Sequence, residues 1–178
     1  MRIMSDERSA TKVGVLYSGG KDSNYTVCKI SLDPRYEVAC LITMIPSDPH
    51  SMLFHHVNVR WTRLQAKALE IERLEFYSDE DEEGSLFEAV LKAKKSFGIE
   101  CLATGGILSK FQAIRFKRIA EELGLKYISP LWLKDQEEYL WELYKKNFKI
   151  ILDRVSALGL GREWLGRLLD EKVIGELI

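Results

Sequence analysis

An apolar run, Val13-Gly14-Val15-Leu16-Tyr17, breaks into Ser18-Gly19-Gly20-Lys21-Asp22-Ser23 and resumes as Asn24-Tyr25-Thr26-Val27-Cys28-Lys29-Ile30. Apolar strand, paired-glycine turn and helical pattern, in that order, predict the opening strand, loop and helix of an α/β domain. Such a junction binds anions. Glycine lets an oxyanion approach the main chain closely, and the helix points its first amides and the positive end of its dipole at the same spot. Lys21 adds a point charge, and the Ser18 and Ser23 hydroxyls add short donors. The same letters also fit a plain turn in which Asp22 or Ser23 caps the helix.

The rest of the chain repeats this pattern. Asp33-Pro34 ends the first helix, and Tyr36 to Thr43 is a second β-rich run, so a parallel sheet begins. A loop through Pro46, Pro49 and His50 follows, then a helix over Thr62 to Ile71 with Leu64, Ala68 and Ile71 on one face. Leu74 to Tyr77 is a third strand, and the acidic run Ser78 to Gly84 leads to a helix through Phe97 with Ser85 and Glu88 as its capping box. Lys92, Lys94 and Lys95 lie on its wet side. Glu100 to Thr104 is a fourth strand, and it ends in a second glycine pair, Gly105-Gly106. An amphipathic helix over Ser109 to Ala120, stopped by Gly124, precedes a fifth strand at Lys126 to Ile128. Past Pro130 the composition shifts toward aromatics. A helix from Leu131 through Tyr144, a strand at Lys149 to Val155 and a helix over Trp164 to Asp170 make a small carboxyl-terminal α/β lobe. The expected fold is therefore α/β: a doubly wound, mainly parallel five-stranded sheet with helices on both faces, plus that lobe.

Composition removes several classes. Lys and Arg total 26 against 27 Asp and Glu, so no global field favours nucleic acid or a membrane surface. No apolar run is long enough to span a bilayer, and residues 1–11 are polar, a flexible tail without a secretory core, which points to a soluble cytoplasmic protein. The three cysteines, Cys28, Cys40 and Cys101, are widely separated and form no Cys-x-x-Cys pair; buried reduced thiols are the default reading. His55 and His56 stand side by side with no third ligand at metal spacing, so no metal site is proposed. The Walker spacing of kinases and GTPases is absent.

In open α/β sheets ligands sit beyond the carboxyl ends of the strands, so the two glycine turns can face one ligand. Ser109 and Gln112 fit a Ser-x-x-Gln capping box as well as they fit a binding site. Arg115, two turns into that helix, carries a fork suited to phosphate or carboxylate, and the site reading is favoured for it.

The hexapeptide Ser18 to Ser23 resembles the PP-loop of the ATP pyrophosphatases, which hold the β- and γ-phosphates of ATP while a nucleophile attacks the α-phosphate. The wider set resembles one family among them, the diphthine-ammonia ligases of archaea and eukaryotes. It comprises Phe54-His55 with Asn58, Gly105-Gly106-Ile107-Leu108-Ser109-Lys110-Phe111-Gln112 with Arg115, Leu131-Trp132 with Asp135, and Val155-Ser156-Ala157-Leu158-Gly159-Leu160 with Leu165-Gly166-Arg167. These stand in the family's order from about Val13 onward.

The resemblance implies adenylation of the diphthine carboxylate of elongation factor 2, loss of pyrophosphate, and displacement of AMP by ammonium, with Mg2+ carried by the ATP. It implies nucleotide contacts from Ser18, Gly19, Gly20, Lys21, Asp22, Ser23, Thr43, Met44, Gly105 and Gly106. Lys21, Ser109, Gln112 and Arg115 are the implied catalytic groups, and His55, Asn58, Trp132 and Asp135 the implied substrate contacts. Residues 12–130 then form the ATP-binding domain and 131–178 the substrate-side lobe. The lobe is expected to be incomplete, because family members continue into a Gly-Glu-rich segment ending in a Glu-Thr pair. A homodimer is compatible with this reading. Two alternatives remain: a PP-loop enzyme adenylating a tRNA base, with Lys110, Arg115, Lys117 and Arg118 lining RNA, and a noncatalytic ATP-binding module.

Overall fold

The structure is a computed structural model; it describes residues 9–155 and 157–178. Two compact units divide after Trp132. The expected tail over residues 1–11 falls mostly outside the described residues, and its last member, Thr11, already belongs to a strand.

The first unit runs β1 (Thr11–Leu16), α1 (Lys21–Ser31), β2 (Tyr36–Pro46), α2 (Thr62–Leu69), β3 (Arg73–Ser78), α3 (Glu82–Phe97), β4 (Cys101–Ala103), α4 (Lys110–Glu122) and β5 (Lys126–Ile128). The strands form one sheet in the order β3-β2-β1-β4-β5, every neighbouring pair parallel. Helices cover both faces, and alternation along the strands shows how. Cys40, Ile42 and Met44 of β2 and Leu102 of β4 join Leu86, Val90, Phe116 and Ile119 of α3 and α4 in one core. Leu41, Cys101 and Ala103 point the other way, with Val27 and Ile30 of α1 and Ala66 of α2. The doubly wound sheet is thus observed, with its strand order reversing between β1 and β4. That reversal opens a crevice at the carboxyl edge of the two strands.

Three local expectations need correction. The buried side of α2 is Thr62 and Ala66 with half-buried Gln65, while Leu64 and Ala68 are exposed. The reason lies beneath it: Thr62 and Gln65 sit against Gly19, where a bulky apolar face would not fit. The cap of α3 is Asp81, whose carboxylate accepts from the Gly84 amide at 2.9 Å; the Ser85 hydroxyl is spent on Asp79 at 3.0 Å. Strand β2 also continues to Pro46, because β3 pairs with it up to that residue.

The second unit contains α5 (Gln136–Lys145) and α6 (Glu171–Leu177) around Trp164, Leu169, Val173 and Ile174. Helix α5 starts later than its apolar pattern suggests, since Leu133 takes a left-handed φ of 57° and Asp135 caps the helix at Glu138. The expected strand at Lys149 to Val155 is reduced to one antiparallel bridge, Ile151 to Leu168, because Gly166 turns the partner segment with φ 80°. The same turn stops a helix forming over Trp164 to Asp170. A short 3-10 turn, Arg162–Trp164, stands there, and Asp170 caps the helix that follows. Ser156 of the quoted family pattern lies outside the described residues. No helix among the described residues is long and apolar enough to cross a membrane.

Candidate nucleotide site at the sheet's switch point

The first glycine turn leaves β1 and enters α1. Gly19 takes φ 78°, a left-handed conformation that glycine adopts without strain. Gly20 is the N-cap of α1 and, having no side chain, cannot cap it itself, whereas α3, α4, α5 and α6 are capped by their N-cap residues Asp81, Ser109, Asp135 and Asp170. The Ser23 hydroxyl donates to the Gly20 carbonyl at 3.1 Å, and Asp22 accepts from Lys21 Nζ at 2.8 Å. The Ser18 hydroxyl lies 3.4 Å from both Ser23 Oγ and the Gly20 nitrogen. Backbone amides, two hydroxyls and an ammonium thus gather at one helix start, a donor set that fits a polyphosphate.

The second glycine turn closes on the first. A Cβ on Gly105 would stand 2.8 Å from the carbonyl carbon and oxygen of Asp22. The turn is pinned by Ser129, whose hydroxyl donates to the Gly106 carbonyl at 2.9 Å and approaches the Thr104 carbonyl at 3.3 Å. Thr104 in turn pairs with the Tyr127 hydroxyl at 2.8 Å. The two turns therefore share the crevice mouth between β1 and β4.

The remaining expected residues divide. Ser109 caps α4 by accepting from the Gln112 amide at 3.4 Å, but the Gln112 side chain does not complete a capping box; its Nε2 donates to the Leu53 carbonyl at 3.0 Å, tying α4 to the loop that carries His55 and Asn58. His55 and Asn58 are exposed on that loop, and Asn58 holds φ 59° before the 3-10 turn Val59–Trp61. Arg115 is held by Glu83: its Nε donates to Oε1 at 2.8 Å and its guanidinium lies 3.6 Å over the Phe111 ring, while Arg118 takes the other carboxylate oxygen. Thr43 and Met44 are buried within the sheet, and the Thr43 hydroxyl is spent on the Tyr17 carbonyl at 3.0 Å. Trp132 is half-buried at the end of the first unit, and Asp135 serves as the cap of α5 in the second. Among the described residues no group of three or more His, Cys, Asp or Glu is placed to hold a metal.

A family model described as the diphthamide synthase N-terminal domain matches residues 11–127, well over half of the chain. The chain belongs to this family. Among curated diphthamide-family relatives, the diphthine--ammonia ligase of Schizosaccharomyces pombe is 31% identical over 90% of this chain and that of Rattus norvegicus 28% over 90%. The chain spans 29% of the fission yeast protein's length and 68% of the rat protein's. Among solved structures, the U34-tRNA thiolase NcsA from Methanococcus maripaludis superposes with a TM-score of 0.49 at 16% identity, over 93% of this chain and 64% of that one. Likeness that loose carries no functional argument.

Sequence reasoning missed five groups of this family member. Tyr17 is buried, and burial pushes its hydroxyl up to about 12. It donates to Asn24 Oδ1 at 2.7 Å and lies 3.3 Å from Gln65 Oε1. Asn24 and Gln65 both donate to the Gly19 carbonyl, at 2.9 and 3.0 Å. Glu83 and Ser129 hold Arg115 and the second glycine turn. Gln65, Glu83 and Ser129 are remote in sequence from the groups they hold, and only Tyr17 and Asn24 adjoin a signal, on either side of the hexapeptide.

Proposed function

We propose that this chain carries the ATP-handling site of a diphthine–ammonia ligase. In this reading the turn Ser18 to Ser23 holds the β- and γ-phosphates, with Lys21 and the loop amides stabilising the charge that grows on departing pyrophosphate. The diphthine carboxylate of elongation factor 2 attacks the α-phosphorus, the bond to pyrophosphate breaks, and an acyl adenylate forms. Ammonia then attacks the acyl carbon, AMP leaves with the carboxyl oxygen, and a proton lost from nitrogen completes the amide. Activation is required because a carboxylate is inert to ammonia until its oxygen becomes a good leaving group. Mg2+ enters with the nucleotide and neutralises its phosphates.

The observation that carries the reading is the contact of two glycine turns at the reversal of strand order, where α1 begins. Membership of the diphthamide family supplies the substrate class. Arg115, Ser109 and Gln112 are assigned to the α-phosphate side, and His55, Asn58 and Trp132 to diphthine. The test is AMP and pyrophosphate release from ATP with ammonium and diphthine-bearing elongation factor 2. Release is expected only when both cosubstrates are present. Release driven by tRNA instead, or bound ATP that stays intact with both present, would overturn the ligase reading.

A further inference from the structure

The Gly19 carbonyl accepts two side-chain amides at once, from Asn24 at 2.9 Å within α1 and from Gln65 at 3.0 Å on α2. Two donors fill both lone pairs of that oxygen. The Tyr17 hydroxyl has one proton to give, and the short bond of 2.7 Å to Asn24 Oδ1 leaves that side chain's NH2 end for Gly19, while Gln65 Oε1 lies 3.3 Å from the same hydroxyl. A peptide between two glycines turns over at little cost, since glycine populates both signs of φ. In a trans peptide the N–H points opposite to the C=O. Holding the Gly19 carbonyl toward Asn24 and Gln65 therefore turns the Gly20 N–H the other way, toward Ser18 Oγ, which lies 3.4 Å from the Gly20 nitrogen. Released, the same peptide is free to present its carbonyl to an anion.

We propose that Tyr17 and Gln65 are positioning residues for polyphosphate binding: Tyr17 orients the Asn24 carboxamide, and Asn24 and Gln65 together lock the Gly19–Gly20 peptide with its N–H toward the phosphates. The inference rests on the nucleotide reading of the loop and adds that a residue of α2 decides which end of the loop's dipole the ligand meets. Close packing limits what else fits there, since a Cβ on Gly19 would lie 2.4 Å from Gln65 Oε1.

The test titrates the full chain with MgATP and with inorganic pyrophosphate by calorimetry, alongside Lys21→Ala. Gln65→Glu, which sets an oxygen against the Gly19 carbonyl, is expected to weaken both ligands about tenfold or more, and Gln65→Met and Tyr17→Phe about threefold. The second readout is the Gly20 amide resonance of 15N-labelled protein at saturating pyrophosphate. It is expected to move downfield in the wild type and by less than about half as much in Gln65→Met, as befits a lost amide–anion hydrogen bond. Losses in Lys21→Ala with Gln65→Glu and Gln65→Met unchanged would overturn the lock and leave the phosphate site standing. Weakened affinity with the full Gly20 shift retained would also overturn it. A wild type that binds neither ligand would overturn the site reading itself, and the lock with it.

Discussion

Gly105 lies so close to Asp22 that a side chain has no place between them: a Cβ there would meet the Asp22 carbonyl carbon and oxygen at 2.8 Å and the Ser23 nitrogen at 3.0 Å. These are backbone atoms of the first turn of α1, so relief requires moving the helix start or the turn. Gly105→Ala is expected to cost about 1–3 kcal/mol of stability, in line with overpacking at a close contact. It should also weaken MgATP binding more than the fold loss alone explains. Gly106→Ala is the control: no described atom lies within 4 Å of its Cβ, and its stability should stay within about 0.5 kcal/mol of wild type. Urea unfolding and calorimetry on the two variants check both statements.

The start of α3 offers a sharper test of local reading. Asp81 accepts from the Gly84 amide, whereas Ser85 bonds outside the helix to Asp79. Asp81→Ala should therefore lose about 1 kcal/mol, the usual worth of an N-cap. Ser85→Ala should lose clearly less. Equal midpoints of urea unfolding for the two variants would restore the Ser85 and Glu88 capping box.

That difference marks where the sequence was readable. The strands stood out because each is a short apolar run bounded by turn residues, and Gly-Gly at two strand ends located the crevice. Helix α2 turns Thr62 and Gln65 to the Gly19 turn and Ala66 to the core, so the apolar letters Leu64 and Ala68 point the wrong way. Gln65 itself left no signal, since its partner is 46 positions away. The carboxyl-terminal unit suffered from Gly166 and Leu133, whose left-handed φ values break periodic stretches that look continuous as letters. The backbone parts of the candidate site were legible as strand, turn and helix; the carboxamides and carboxylates that hold them are long-range facts.

Alkaline pH should loosen the fold through buried thiols. Burial pushes Cys40 up to about 12 and Cys101 up to about 11, both from 9.0. The native state thus keeps protons that the unfolded chain releases, so the stability is fully present below pH 9 and is lost as pH rises through 11 to 12. In that window each thiol should steepen the loss by about 1.4 kcal/mol per pH unit, and Cys40→Ala should flatten the curve once its own packing cost is subtracted. Urea unfolding at stepped pH measures the slope. At pH 8 a thiol reagent should label half-buried Cys28 first and reach Cys40 and Cys101 only in denaturant.

Arg115 and Arg118 share the Glu83 carboxylate, yet only Arg115 is assigned to the reaction. Its side chain is 31% exposed, its Nη1 also bonds the Phe111 carbonyl at 3.1 Å, and the ring lies beneath it. A partly exposed pair of this kind contributes about 0–1 kcal/mol, with the ring adding about 0.5–1. Arg115→Ala should therefore leave a folded protein, while losing a fork that meets negative charge in the transition state should cut AMP formation by about tenfold or more. Arg118→Ala removes a partner of the same Glu83 without touching the assigned site, and its turnover should stay near wild type. Glu83→Gln separates the roles further: it loosens Arg115 without deleting it, so turnover should fall less than in Arg115→Ala. If Arg115→Ala and Arg118→Ala turn over alike, Glu83 and both arginines are a structural clamp between α3 and α4, and the α-phosphate side of the site must draw its positive charge from elsewhere.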